Sequence, residues 1–234
     1  MQNESFYKFP STPYLFSPPN GISRQDKVLT DDEVQLFFSE TVTVEEKIDG
    51  ANLGISFNSD GAIRVQNRGD CILPPYMGQW EPLSRWLEIK ENSLFDVLLD
   101  RYIVFGEWCY YCHSVVYNSL PDWFIAFDIF DKQKSRFLSV QRRDDFIAEM
   151  NLALVPELFR GNVAKEALGA FMGKSAYGDD KREGLYFRID SNDYLARRAK
   201  YVRTDFSQSI ETHWSKKKAV KNRLEVFSTA NKLG

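Results

Sequence analysis

The sequence predicts an α+β fold of mainly antiparallel sheets flanked by helices. Three observations carry that prediction. Short β-branched and aromatic runs separated by turn signals follow one another from residue 42 to residue 66, as in a β-meander. Strands and helices then mix without the strict alternation that a parallel sheet requires. No internal repeat and no long linker divides the 234 residues, so a single domain over 1–234 is expected.

Residues 1–24 are rich in Pro, Ser, Tyr and Phe, as in Phe9-Pro10-Ser11-Thr12-Pro13-Tyr14. The prolines forbid regular structure, and the aromatic content predicts an arm packed on the body. Thr30 is the predicted N-cap of a helix over 31–40, because Thr30-x-x-Glu33 spells a capping box and acids fill the first turn. Strands are predicted at 42–48, 51–57 and 62–66, the last two joined through Asn58-Ser59-Asp60-Gly61. Residues 79–99 read as a helix with Pro82 near its start and Trp86, Ile89, Leu94, Val97 and Leu98 as apolar positions. Strands at 102–108 and 123–130 are joined by a long aromatic connection over 110–122, long enough to be a lid or substrate loop. Helical patterns at 140–150 and 163–173, strands at 185–189 and 194–202, and a polar, basic helix over 207–234 complete the chain.

Composition narrows the function classes. With 43% hydrophobic and 15% aromatic residues the chain can bury a proper core and is not disordered. A net charge of -3 gives no global sign of nucleic-acid binding, so any such surface must be a local basic patch. Cys109 and Cys112 form a C-x-x-C followed by His113, but no second cysteine pair completes a zinc site. Buried free thiols in a reducing compartment are therefore expected. No basic-then-apolar leader and no long apolar run appears, which predicts a soluble, cytoplasmic monomer without membrane contact.

The stretch Val44-Glu45-Glu46-Lys47-Ile48-Asp49-Gly50-Ala51-Asn52 carries the chemistry. In extended backbone, residues two apart share a face, so Lys47 and Asp49 are expected on one side. Gly50 allows a tight turn or a close approach. A lysine in a partly buried pocket can have its pKa lowered enough to act as a nucleophile; the alternative is a surface lysine before a turn. Further along, Arg68, Glu107, Phe127 with Asp128, Glu183, Arg188 and Lys200 sit in or beside strands that otherwise read as core. Charged side chains are rarely buried unless paired or bound to something. Four acids and four bases on neighbouring strands have the composition of a nucleotide and metal site, carboxylates suiting Mg²⁺ and cations suiting phosphate.

Glu46-Lys47-Ile48-Asp49-Gly50, Phe105-Gly106-Glu107, Phe127-Asp128-Ile129, Glu183-Gly184-Leu185 and Lys200 occur in an order that resembles the covalent nucleotidyltransferase superfamily of DNA and RNA ligases and capping guanylyltransferases. The similarity is strongest to ATP-dependent RNA ligases of the nick-sealing type, their small bacterial and phage relatives included, and runs from about residue 9 to about residue 224. It implies a nucleotidyltransferase (ligase adenylation) domain, ATP-grasp-like in architecture. It also implies ATP as cofactor, with AMP carried covalently on Lys47, and Mg²⁺ or Mn²⁺. The implied reaction joins 3′-OH and 5′-phosphate ends of RNA, nicked or broken, through an adenylated 5′ end. Residue by residue, Lys47, Asp49, Glu183 and Lys200 fall in the catalytic motifs, and Glu183 is also the metal-binding acid. Glu46, Asn52, Arg68, Glu107, Phe127, Arg188, Lys200 and Arg203 form the nucleotide-binding set. Within it Glu107 matches the ribose-binding acid, Phe127 the ring that stacks on adenine, and Lys200 the α-phosphate lysine. For Arg68 a plain turn role stays open, for Phe127 plain core packing, and for Asp128 a structural role on the opposite face.

Two departures stand out. Asp49 replaces the histidine of the nick-sealing prototype, and Val202 takes the second lysine position of the last motif, leaving Arg203 as the nearby cation. Only about thirty residues follow Lys200, so no oligonucleotide-binding domain is expected, which disfavours a capping enzyme or a typical DNA ligase. A minimal DNA nick ligase and a non-catalytic nucleic-acid-binding module remain the alternatives, with DNA strands and an end-healing kinase or phosphatase as further partners. Arg197, Arg198, Lys216, Lys217, Lys218, Lys221 and Arg223 are the candidate basic surface, and Trp214, Tyr110, Tyr111 and Tyr117 the candidate base-stacking residues.

Overall fold

A computed structural model describes residues 6–18, 27–203 and 220–225. Trp214, Lys216, Lys217, Lys218 and most of the predicted closing helix lie outside the described residues. The first helix, α1 (Asp31–Ser39), starts where Thr30 predicts. The Thr30 hydroxyl accepts the Glu33 N–H, and the Thr30 N–H donates back to the Glu33 carboxylate at 2.9 Å.

Two antiparallel sheets follow, and they divide at the lysine stretch. Strand β1 (Val42–Lys47) is central in the first sheet, flanked by β8 (Glu157–Gly161) and β9 (Gly184–Ser191), with β10 (Tyr194–Val202) beyond β9. Strand β2 (Ala51–Phe57) is central in the second, between β3 (Ile63–Gln66) and β4 (Tyr102–Trp108). Beyond β4 lie β5 (Phe124–Asp131) and β6 (Arg136–Phe137), while β7 (Ala153–Leu154) pairs with β5 in parallel. The expected meander therefore reduces to the β2–β3 hairpin. The reason is local: a Cβ on Gly50 would sit 3.0 Å from both the Trp108 carbonyl oxygen and Cys109 Sγ. The backbone presses against the end of β4 there, and this steers the chain out of the first sheet and into the second.

Helix α2 (Leu83–Leu98) covers the second sheet with Leu83, Trp86, Leu87, Leu94, Val97 and Leu98, while Ile89, read as apolar-face, is 70% exposed. Helix α1 buries Val34 and Phe37 against Val42, Val44, Leu185 and Phe187 of the first sheet. The segment read as a helix over 163–173 is 3₁₀ over Lys165–Phe171; only Leu168 in it is buried, too little apolar surface to stabilise a longer α-helix. None of the described helices is long and apolar enough to cross a membrane.

Buried ion pairs tie the sheets together. Asp128 of β5 holds Arg188 of β9 at 2.7 Å and Arg198 of β10 at 3.5 Å. Helix α3 (Val140–Glu149) supplies Arg143, which pairs with Glu45 of β1 at 2.6 Å and donates to the Phe127 carbonyl at 2.9 Å. Arg188 also donates to the Leu138 carbonyl at 3.0 Å. The structural role of Asp128 and its neighbours follows from these contacts. Removing one partner of a buried pair strands the other charge, so Asp128→Ala should lower unfolding free energy by about 3–5 kcal/mol in urea titrations. The double replacement Asp128→Leu with Arg188→Met should be distinctly milder.

Candidate functional site

A cavity of about 280 Å³ opens between the sheets at the Lys47 end of β1. That volume lies at the lower end of the range for small-molecule pockets and far exceeds what a lone ion needs. Its lining draws on both sheets. Lys47 is the last residue of β1 and stands opposite Gly184 at the start of β9, which sets Glu183 beside it. The Lys47 ammonium donates to Glu183 Oε2 at 2.6 Å. A side chain on Gly184 would collide with the Tyr201 carbonyl, so the tight β9–β10 approach that frames this corner requires glycine.

The second sheet contributes Asn52 on β2, opposite Glu107 on β4, then Arg68 from the turn after β3 and Phe127 from β5. Lys200 comes from β10, opposite Tyr186 of β9. The N-terminal arm closes one side. The Lys200 N–H donates to the Pro13 carbonyl at 2.9 Å, and the Leu15 N–H donates to the Lys200 carbonyl at 2.7 Å, extending the first sheet. Phe9, Thr12 and Tyr14 of the arm line the cavity. Phe9 meets Phe127 edge-on at 5.3 Å, and the Lys200 ammonium sits 4.0 Å from the Tyr14 ring centre. The Arg68 guanidinium donates to Ser11 Oγ at 3.2 Å.

The electrostatics are those of an acid cluster around one amine. Burial pushes the Lys47 amine down, but the Glu183 and Glu107 carboxylates outweigh it and the net shift is upward. The lowered lysine pKa expected from burial is thus corrected: the neighbouring carboxylates hold the Lys47 amine above the ordinary lysine range. Burial raises the Glu183 carboxyl to about 7, with Lys47 opposing. Burial likewise holds the Glu107 carboxyl well above the usual range.

The structure brings Glu46, Lys47, Asn52, Arg68, Glu107, Phe127, Glu183 and Lys200 into one lining. Three predicted residues are elsewhere. Asp49 turns away to accept the N–H groups of Ser114 and Val115 at 2.6 and 2.8 Å, so it organises the 110–122 connection. The Arg188 guanidinium is bound to Asp128 and the Leu138 carbonyl, off the lining. Arg203 is also off the lining, with its backbone N–H donating to the Glu183 carbonyl at 3.1 Å. Glu46 reaches the lining but its carboxylate is fixed from behind by the Ser175 hydroxyl and the Ala176 N–H.

Tyr117 is fully buried and Tyr110 nearly so, which makes both packing residues rather than exposed stacking platforms. Arg197, Lys221 and Arg223 are exposed, whereas Arg198 is half-buried against Asp128. Cys109 is a buried thiol that burial keeps protonated, and Cys112 is half-buried. The sequence reading missed Phe9, Thr12, Tyr14, Val155 and Tyr186 in the lining. For the arm, its aromatic content was the available signal.

The lining suits a nucleotide. Asn52 Oδ1 is buried and accepts no hydrogen bond among the described residues, so the cavity offers an acceptor to a ligand. Phe127 provides a ring face, Lys200 and Arg68 provide cations for phosphate, and Glu107 provides a carboxyl for sugar hydroxyls. Among the described residues no group of three or more His, Cys, Asp or Glu converges as a metal cage. Glu183 on the lining still fits a Mg²⁺-type ion held by one carboxylate, waters and phosphates.

The sequence matches the RNA ligase family over residues 40–202. No curated protein matches it. The fold resembles Naegleria gruberi RNA ligase with pyrophosphate at 20% identity and TM-score 0.60, and a variant of that enzyme with ATP and Mn at 19% and 0.61. Each likeness covers 91% of this chain and 63% of that one. An archaeal ATP-dependent RNA ligase matches at 20% identity and TM-score 0.59, over 85% of this chain and 49% of that one. The chain thus spans half to two thirds of these proteins, and likeness at such identity establishes the fold.

If Glu183 is what keeps Lys47 charged, Glu183→Gln should shift Lys47 reactivity to lower pH. Competitive acetylation across a pH series, read on the Lys47 peptide by mass spectrometry, should place the wild-type midpoint above that of ordinary lysines and the variant midpoint below wild type. Coincident midpoints would contradict the assignment.

Proposed function

The chain belongs to the RNA ligase family, and from that premise we propose that it is an ATP-dependent enzyme joining RNA 3′-OH and 5′-phosphate ends through a lysyl-AMP intermediate. The observation that carries this reading is Lys47, held 2.6 Å from Glu183 at the floor of a nucleotide-sized cavity with Lys200 and Arg68 on its walls. Adenine stacks on Phe127, and Glu107 takes the ribose hydroxyls. Lys200 and Arg68 draw the phosphates toward the amine. Lys47 Nζ then attacks the α-phosphorus, a P–N bond forms, and the bond to the bridging oxygen breaks to release pyrophosphate. The proton lost by the amine passes to Glu183, its hydrogen-bond partner at 2.6 Å.

Glu183 would hold the Mg²⁺ or Mn²⁺, which when bound neutralises phosphate charge. Neutralisation of this kind would relieve the carboxylate field around Lys47 and favour the free amine. AMP next passes to the RNA 5′-phosphate, and the 3′-hydroxyl attacks that phosphorus and displaces AMP. Arg197, Lys221 and Arg223 are exposed, and they are assigned to the RNA backbone on their charge. An end-healing kinase or phosphatase supplies the required termini, and the cytoplasm is the expected site of action.

Strand joining tests this directly. A 5′-phosphorylated nicked RNA duplex with ATP and Mg²⁺ should give a sealed product with wild-type protein and none with Lys47→Ala. Lys200→Ala should slow sealing by about 10²–10³-fold, the loss seen when one preorganised charge-stabilising group is removed. A nicked DNA duplex sealed in preference to RNA would move the reading to a minimal DNA ligase, and no sealing or AMP transfer on either would leave a binding module.

A further inference from the structure

The segment 220–225 returns, far along the sequence, to the connection between β4 and β5. Asn222 is its buried member, 3% exposed between exposed neighbours. Its side-chain amide donates to the Cys109 carbonyl at 2.8 Å and accepts the Tyr117 N–H at 2.9 Å, while its backbone N–H donates to the Tyr110 carbonyl at 3.1 Å. Backbone bonds run on either side, from Cys112 N–H to Val220 and from Arg223 N–H to Tyr117, each at 2.9 Å.

These contacts lead to the nucleophile. Strand β1 ends at Lys47 and β2 begins at Ala51, so the turn Ile48-Asp49-Gly50 belongs to neither ladder. Its Asp49 N–H is satisfied by the buried Tyr117 hydroxyl at 2.8 Å. The Asp49 carboxylate in turn binds the same connection through Ser114 and Val115. At the other end, the Cys109 carbonyl that Asn222 satisfies lies two residues beyond Glu107 in the chain. Asn222 thus fixes the backbone two residues beyond Glu107 directly, and the turn after Lys47 through Tyr117.

We propose that segment 220–225 is a clasp on the Lys47–Gly50 turn and that Asn222 and Tyr117 are positioning residues for nucleotide transfer to Lys47. The proposal rests on the ligase reading above for the reaction it serves. A turn held by tertiary hydrogen bonds rather than by a ladder depends on those bonds for its place. A misplacement of about 1 Å at a reacting centre costs on the order of 10²-fold in rate.

The test uses the full chain with Tyr117→Phe, which deletes only the hydroxyl, and Asn222→Ala. Hydrogen exchange at the Asp49 amide is followed without nucleotide, beside ATP affinity and the single-turnover rate of AMP transfer at saturating ATP. Tyr117→Phe should speed Asp49 exchange and lower the transfer rate about tenfold or more, with ATP affinity retained. Asn222→Ala should do the same, and the double variant should fall no further than the more impaired single. Unchanged exchange and rate, or a rate loss accounted for entirely by unfolded protein, would overturn the clasp. Wild-type protein that transfers no AMP would contradict the ligase reading instead, and the clasp would then stand or fall on the exchange alone.

Discussion

The structure depends on how two sheets are held apart and together at once. The chain passes from one to the other in the three residues after Lys47, and the cavity is the space that this crossing leaves. Apolar packing alone does not define such a separation. The buried set of Asp128 with Arg188 and Arg198, and Arg143 with Glu45, does so through directional contacts that span β1, β5, β9, β10 and α3. Buried ion pairs of this kind contribute little net stability over apolar replacements. Their contribution here is geometric. They fix the distance from the β5 strand that carries Phe127 to the β9–β10 pair that carries Lys200.

On that frame the site is an acid cluster around one amine. Burial favours the neutral Lys47 amine, but the Glu183 and Glu107 carboxylates favour its charged form more strongly. In the proposed reaction the acceptor for the amine's proton is Glu183, at contact distance.

Much of this was legible in the sequence for a simple physical reason. Lys47, Glu107, Glu183 and Lys200 are charges set in or beside apolar strands, and burial of such groups demands a partner or a ligand. The same signal misassigned Arg188, because a strand pattern reports that a charge is buried and not whether a carboxylate or a phosphate answers it. Asp49 shared a face with Lys47 only while the backbone was taken as extended, and β1 ends at Lys47. The pairing of β1 was hidden too, since its partner β8 is short and irregular in pattern and β9 lies far along the chain. Thr12 and Tyr14 reach the lining through backbone bonds to β10, which leave no periodic trace.

The central claim is that Lys47 becomes covalently joined to AMP, and peptide mapping tests it most directly. Purified protein incubated with ATP and Mg²⁺, then denatured and digested, is examined by mass spectrometry for an adenylate on the Lys47 peptide. The account predicts the adduct on that peptide, lost on acid treatment and reversed by pyrophosphate before denaturation. An adduct on another residue, or AMP that leaves entirely on denaturation, would contradict it.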